Sequence, residues 1–246
     1  MTAIVGARAG GRRRAESSPW LVVGQGAAAL AVSMGIGRCV FTPILPLMHA
    51  QAGLSSSAGA GLATANYVGY LAGALAGIFV PSLVRSALVM RVSIVALLAT
   101  LALMPVTRVD GVWLGLRLIA GVSTALIFIV AVSATLSHLR EHGQHLIGWA
   151  FGGVGAGIAL SGAMVLVVRV VGDWRAAWWA AAGLASVLAI GPWTLRPEAA
   201  PDASGGGGAA SGPRSHRWFW GRLASYSLEG VGYIIAGRSW SRRSSS

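Results

Sequence analysis

The sequence predicts an all-α integral membrane protein. Of its 246 residues, 55% are hydrophobic and only 11% are charged, and the mean hydropathy is +0.68. Soluble domains carry about 25% charged residues, so lipid is the expected solvent for much of this chain. Residues 20–48 form one long apolar run interrupted by a single charge, Arg38. That run exceeds the about 20 residues that a helix needs to cross a bilayer.

Further apolar runs follow the first, and each predicts a helix. Only helices and closed barrels pair all their backbone groups inside lipid, and runs of this length without two-residue alternation favour helices. The predicted bundle of six transmembrane helices occupies residues 20–195, with helices at 20–48, 61–81, 87–106, 111–136, 146–171 and 176–195. A seventh run, 218–237, contains Arg222 and Glu229 and predicts a partial seventh helix.

Three further segments lie outside these runs. Residues 1–19 form a basic N-terminus, and residues 196–217 are rich in Pro, Gly, Ala and Ser, a composition typical of a flexible linker. At residue 238 the seventh run gives way to an Arg/Ser tract, 238–246. We expect this aberrant tail to reflect a frameshift or truncation within the seventh helix, with a natural short tail as the alternative.

The arginines predict the orientation of the bundle. Cytoplasmic loops carry an excess of Lys and Arg, and with the N-terminus inside, eleven arginines fall on the cytoplasmic side and three outside. The eleven are Arg8, Arg12, Arg13, Arg14, Arg85, Arg91, Arg140, Arg196, Arg214, Arg217 and Arg222, and the three are Arg108, Arg169 and Arg175. We therefore predict a cytoplasmic N-terminus.

Composition argues against several other functions. The net charge is +12, but the arginines lie between apolar runs and not on one soluble face, so we predict no nucleic-acid partner. Cys39 is the only cysteine, which excludes an intrachain disulfide and a thiolate metal cluster. Phosphate loops, dinucleotide fingerprints and a Ser/His/Asp set at one membrane depth are lacking. The sequence thus predicts no cofactor and no enzyme activity.

His138, Glu141 and His142 have the spacing of one zinc-protease motif. They fall in a short loop between two predicted helices, without other catalytic groups. We therefore expect a polar loop there and no metal site.

Two helices carry patterns typical of a transporter family. Arg117 is followed four residues later by Gly121 and then by small residues. With the six runs and the polar linker, this resembles the N-terminal half of a major facilitator superfamily transporter, although Ala120 replaces the usual Gln. The glycine-rich stretch 152–162 is similar to the antiporter motif but lacks its Gly-Pro pair, so antiport is not implied. The loop between the second and third helices lacks the family's Asp, so its gating role is not carried over.

A narrower resemblance covers residues 20 to 237. The chain is similar to the YbfB/YjiJ-like branch of the superfamily, which are bacterial inner-membrane proteins of uncharacterised substrate. The matching pieces are Met34–Arg38, Thr42–Pro46, Asn66–Tyr70, Phe151–Gly155 and Leu228–Tyr233.

The resemblance implies a secondary active transporter of a small solute, working by alternating access. Such proteins have about twelve helices in two halves around a central cavity, so this chain corresponds to a little over half. We expect the monomer to be inactive alone, with a second copy or a missing C-terminal half as its partner. The alternatives are an intramembrane enzyme and a non-transporting fragment.

Charges inside the apolar runs are the main candidates for binding solute or coupling ion. Arg38 lies near the middle of the first predicted helix and Arg117 on the same side of the midplane. If both face one cavity, their charges favour an anionic solute or lower the pKa of a neighbouring acid; the alternative is that the side chains extend to the membrane interface. Glu229 is the only acid within an apolar run and is a natural proton carrier. Pro43 and Pro46 predict a kink in the outer part of the first helix, unless packing alone explains them.

The second predicted helix carries the remaining candidates. Asn66 and Tyr70 are four residues apart and share one helix face, so they are suited to hydrogen-bonding a solute or to joining two helices. Small residues let helix backbones approach closely. For that reason we assign helix packing to Gly69, Gly73, Gly77, Gly121, Gly153 and Gly157.

Overall fold

The computed structural model describes residues 18–139 and 145–195, and every regular element in these ranges is helical. The first span comprises α1 (Pro19–Leu30), a π-helical segment (Ala31–Arg38) and α2 (Phe41–Ala52). The later elements are α3 (Ser56–Phe79), α4 (Pro81–Val84), α5 (Ala87–Leu103) with a 3₁₀ turn (Met104–Val106), α6 (Asp110–His138), α7 (His145–Val171), α8 (Trp174–Ala189) and a 3₁₀ turn (Pro192–Thr194). The all-α prediction is confirmed.

Five of these helices are long and apolar enough to cross a membrane. They are Pro19–Ala52, Ser56–Phe79, Ala87–Val106, Asp110–His138 and His145–Val171. The sixth, α8, has 16 residues and is about 24 Å long, which is short of the about 30 Å hydrocarbon core. The sequence predicted this helix to reach residue 195, but Pro192 starts a 3₁₀ turn because its ring cannot continue an α-helix. The predicted seventh helix lies outside the described residues.

Local side chains fix where several helices begin and end. Ser55, Ser86 and Asp173 each accept a hydrogen bond from a backbone N–H in the first turn of α3, α5 and α8 respectively. Gly53 ends α2 with φ at +71°, a left-handed conformation that glycine adopts without a Cβ clash. These caps satisfy backbone groups at the helix ends that would otherwise lack partners.

The first span is irregular at its centre. An eight-residue π-helix precedes a turn at Cys39 and Val40, after which α2 begins. Pro43 has no N–H to give to the Cys39 carbonyl, and its ring would clash with that oxygen in a continuous helix. The irregular backbone lies before the prolines, and the kink that the sequence predicted in the outer part of the helix stays a prediction. Helices of the π type are rare, occur mostly as short bulges inside α-helices, and are frequently found at functional sites.

Glycines mark where α3 meets α6. A Cβ built on Gly69 would overlap the Leu118 carbonyl, and one on Gly73 would lie 2.8 Å from the Val122 carbonyl oxygen. From the other side, a Cβ on Gly121 would overlap the Asn66 carbonyl. Backbone therefore packs on backbone along this pair of helices. The packing at Gly77 is looser, since a Cβ there would meet only side chains, those of Ile129 at 3.1 Å and Val84 at 3.8 Å.

A second glycine contact joins the first span to α7. A Cβ on Gly157 would lie 2.7 Å from the Ala31 Cα, and one on Gly153 would overlap the Ala27 carbonyl. Gly35 of the π-helical segment faces the Gly157 backbone, and the Ser161 hydroxyl donates a 3.3 Å hydrogen bond to the Gly35 carbonyl. The π-helical segment is thus held directly against α7.

The core of the bundle contains three fully buried tryptophans, Trp113, Trp174 and Trp178. Trp113 meets Trp174 edge to face, with ring centroids 5.8 Å apart. By contrast, large apolar side chains are exposed on the outer faces of α3 and α7, including Phe79 and Val171. An apolar exterior of this kind fits a protein whose surface is solvated by lipid.

Candidate functional site

Arg38 lies at the end of the π-helical segment and points toward α3. Its guanidinium carbon is 4.5 Å from the Tyr70 ring centroid and 5.0 Å from that of Tyr67. Both distances fall in the range of a cation–π interaction. Arg38 and Tyr70 are half-buried, whereas Tyr67 is 57% exposed. Two tyrosines one turn apart therefore hold an intramembrane cation that is still reachable from one side.

Arg117 lies on α6 and is almost fully buried, with only 2% of its surface exposed. Its guanidinium carbon is 4.7 Å from the ring centroid of Phe41. Neither Nε nor Nη1 has a hydrogen-bond partner within the described residues. Buried polar groups are nearly always hydrogen-bonded, so this unpaired cation stands out from the rest of the bundle.

Asn66 connects α3 to the backbone beside Arg117. Its side-chain amide donates a 3.1 Å hydrogen bond to the Arg117 carbonyl oxygen, and the residue is 2% exposed. Of the two roles that the sequence left open, the geometry favours joining the helices. The bond places the Asn66–Tyr70 turn of α3 next to Arg117.

The two arginines share one neighbourhood. Phe41, which lies under Arg117, follows Arg38 by three residues. Tyr70, which lies against Arg38, is one turn beyond the Asn66 that bonds the Arg117 backbone. The structure thus brings together four of the five predicted site residues, and the fifth, Glu229, lies outside the described part of the chain.

Sequence reasoning missed Phe41 and gave Tyr67 no separate role. Tyr67 adjoins Asn66, and its spacing from Tyr70 was a usable signal. Phe41 gave none, because an aromatic residue in an apolar run predicts only burial. Phe41 also packs against Trp178, with ring centroids 6.5 Å apart, and the Trp178 indole N–H is buried without a partner among the described residues.

The site is strongly positive. Across residues 18–139 and 145–195 the only acids are Asp110 and Asp173. Asp110 starts α6, about 10 Å along the helix from Arg117, and Asp173 caps α8. In that same part of the chain, no group of three or more His, Cys, Asp and Glu residues lies close enough to hold a metal ion.

Comparison with protein families gives one result. Residues 30–237 match the family model described as "Uncharacterised MFS-type transporter YbfB", where MFS denotes the major facilitator superfamily. The chain belongs to this family. It is accordingly a multi-pass membrane protein of a transporter family, and the predicted YbfB branch is confirmed. Comparison with curated proteins and with solved structures finds no match.

The region shared with the YbfB family contains every predicted site residue. Ionisable side chains inside membrane helices are costly and commonly mark the pathway of a solute or ion. In this YbfB-family protein, Arg38 lies at the centre of the first span, and Arg117 is the arginine that is almost fully buried among the described residues. A cluster that offers two positive charges and no neighbouring acid is suited to attract an anion.

Proposed function

We propose that this protein is a secondary active transporter of a small anionic solute, which binds at Arg38 and Arg117. The observation that supports this most directly is the buried Arg117, whose Nε and Nη1 have no partner among the described residues. A buried cation without compensation is unfavourable, and an anionic ligand would supply the missing acceptors. The proposal gives a function to a charge that packing alone would disfavour.

Each residue of the cluster has a role in this proposal. Arg117 attracts and holds the anion, and Arg38 approaches it from the first span. Tyr70 and Tyr67 position the Arg38 guanidinium by cation–π contact. Asn66 fixes α3 against α6 and so positions the Arg117 backbone. Coupling to protons through Glu229 is part of the proposal, since a carboxyl group within an apolar run can carry a proton.

The active unit is proposed to contain a second helical bundle. Superfamily transporters place their solute between two six-helix halves, and the helices described here correspond to one. A second copy of the chain or a separate C-terminal half would complete the cavity. The distribution of arginines supports insertion in a bacterial inner membrane with the N-terminus in the cytoplasm.

Reconstitution into proteoliposomes tests this function. Uptake of radiolabelled small solutes of similar size but different charge is measured at two protein densities, below one copy per vesicle and at several copies. We expect uptake of anions only, and only at the higher density. Arg117→Gln should abolish uptake, while Arg169→Gln, at the end of α7, serves as the matched control. Anion uptake by single copies would overturn the two-bundle proposal, and uptake of uncharged solutes that survives Arg117→Gln would overturn the anion site.

A further inference from the structure

We infer that the solute is a dianion whose negative charge is shared between Arg38 and Arg117. This inference rests on the proposed function and adds the class of solute. It depends on the count of charges around the site, the different settings of the two arginines and the chemistry of the unpaired atoms.

The balance of charges around the site favours a dianion. Arg38 contacts Tyr70 of α3 and Arg117 contacts Phe41 of the first span, and within the described ranges the nearest acid along the chain is Asp110 at the start of α6. A monoanion would neutralise one guanidinium and leave the other unpaired in a poorly solvated site. A dianion neutralises both, and burial of charge is tolerated only when it is paired.

The two arginines also differ in how they are held. Arg117 is 2% exposed and lies against Phe41, so its position is fixed by the core. Arg38 is half-buried and is held by two aromatic rings. Cation–π contacts are weak compared with an ion pair in a poorly solvated site, so a charged ligand can readily replace them. Arg117 is therefore the permanent anchor, and Arg38 is the group that closes on the second negative charge.

The unpaired atoms are mostly donors. Among the described residues, four buried side-chain N and O atoms lack a hydrogen-bond partner: Arg117 Nε, Arg117 Nη1, Trp178 Nε1 and Thr135 Oγ1. The first three are N–H groups, two on the Arg117 guanidinium beside Phe41 and one on Trp178, whose ring centroid is 6.5 Å from that of Phe41. A ligand that satisfies them must carry acceptors and no competing donors, as carboxylate and phosphate groups do.

Two chemical sources supply such a dianion. In a dicarboxylate the two charges are on separate groups, and in a phosphate or phosphate monoester they are on one group. Because the guanidinium groups come from different helices, separated charges fit the site better. The experiment therefore compares both sources directly.

Binding to the full chain in lipid nanodiscs tests the inference. The probes are succinate, butyrate and methyl phosphate at pH 8, where the phosphate is a dianion because its second pKa is about 6. Succinate and butyrate have the same number of carbons but differ in charge. We expect succinate to bind at least about 10-fold more tightly than butyrate, which is the range for one added charged hydrogen bond. Methyl phosphate should lie between them.

Substitutions at Arg38 and Arg117 distinguish the contributions of the two arginines to binding. Arg38→Gln should lower succinate affinity to that of butyrate and leave butyrate binding nearly unchanged. Arg117→Gln should weaken both, and Arg38→Lys, which preserves the charge, should retain the preference for succinate. Arg169→Gln is the control and should bind like the wild type. All variants are first checked by size-exclusion chromatography, so that misfolding is not read as lost binding.

Equal affinity for succinate and butyrate, both lost in Arg117→Gln, would overturn the dianion while leaving the anion transporter intact. Failure of all three anions to bind, together with Arg117-independent uptake of an uncharged solute, would overturn the anion site itself. Tighter binding of methyl phosphate than of succinate would overturn the preference for separated charges.

Discussion

The side-chain amide of Asn66 donates a hydrogen bond to the backbone carbonyl of Arg117, across the α3–α6 interface, at 3.1 Å. This bond ties a polar residue of one helix to the backbone beside the most deeply buried charge of another. It lies beside the close contact at Gly121, where a Cβ would overlap the Asn66 carbonyl. The position of Arg117 therefore depends on how tightly these two helices pack.

Asn66→Ala should destabilise the bundle modestly. Hydrogen bonds between membrane helices contribute about 0.6 kcal/mol on average and up to about 1.7 kcal/mol, so a loss near 1 kcal/mol is expected. The free energy of unfolding in bicelles measures it. Thr64→Ala is the control, because the exposed Thr64 hydroxyl bonds only within its own helix. An equal loss in both variants would contradict an interhelical role for Asn66.

Gly121→Ala should be much more harmful than Gly115→Ala, although both lie on α6. A methyl group at Gly121 has no room against α3, whereas nothing lies within 4 Å of a Cβ at Gly115. Overpacking costs about 1–3 kcal/mol, and Gly115→Ala should be neutral or slightly stabilising through helix propensity. Thermal unfolding in detergent distinguishes them, and similar melting temperatures would show that the helices can separate at little cost.

Arg117→Met should raise stability while removing anion binding. Methionine approximates the length of the arginine stem and removes an uncompensated buried charge, and replacing buried charges by apolar residues can stabilise by about 1–4 kcal/mol. Chemical unfolding and anion binding are measured on the same preparation. Arg169→Met, at an exposed position on α7, should change neither markedly. A destabilised Arg117→Met protein would mean that the guanidinium is already paired in the folded state.

Tyr70→Phe and Tyr70→Leu should differ, since only the first preserves an aromatic face under Arg38. Loss of the ring is expected to cost about 0.5–2 kcal/mol, while loss of the hydroxyl alone should cost less. The free energy of unfolding is measured for each Tyr70 variant alone, for Arg38→Gln alone and for the two substitutions combined, which completes a double-mutant cycle. A coupling energy near zero would rule out a working Arg38–Tyr70 interaction.

The orientation of the protein in the membrane can be measured by cysteine labelling. Cys39 is the only cysteine, so Cys39→Ser gives a protein without thiols into which single cysteines can be introduced. In that background, a membrane-impermeant maleimide should label Val109→Cys in intact cells but not Ser82→Cys. Both native residues are exposed and lie between helices or in the short α4. Reversed labelling would place the N-terminus outside.

Much of this architecture was predictable because hydropathy is a local property. Arg38 and Arg117 were identified by their unlikely place in apolar runs, and the helices begin and end within a few residues of those runs. Helix α8 is the exception, since its run continues through Pro192 while its helix does not.

What the sequence did not reveal depends on tertiary contact. Phe41 under Arg117 and Tyr67 beside Arg38 are ordinary aromatic residues until neighbouring helices bring them to a cation. The π-helical segment likewise has no distinct hydropathy, although Gly35 and Gly37 weaken the α-helical preference there. Its close contact with Gly157 requires the folded bundle.

The π-helical segment affects how the direction of the Arg38 side chain depends on the number of residues in the first span. Its hydrogen bonds span five residues where an α-helix spans four, so the first span contains a surplus residue relative to a regular helix. Deleting one residue from Ala31–Arg38 would restore a regular ladder and keep the run long enough to cross the bilayer. Because the π-helical segment already absorbs this surplus residue, Arg38 would then keep its direction relative to α1, whereas a deletion within the regular α1 would turn it by about 100°, away from Tyr67 and Tyr70. The π-helical segment is therefore a place where the first span can lose one residue without redirecting this charge, which a regular helix does not allow.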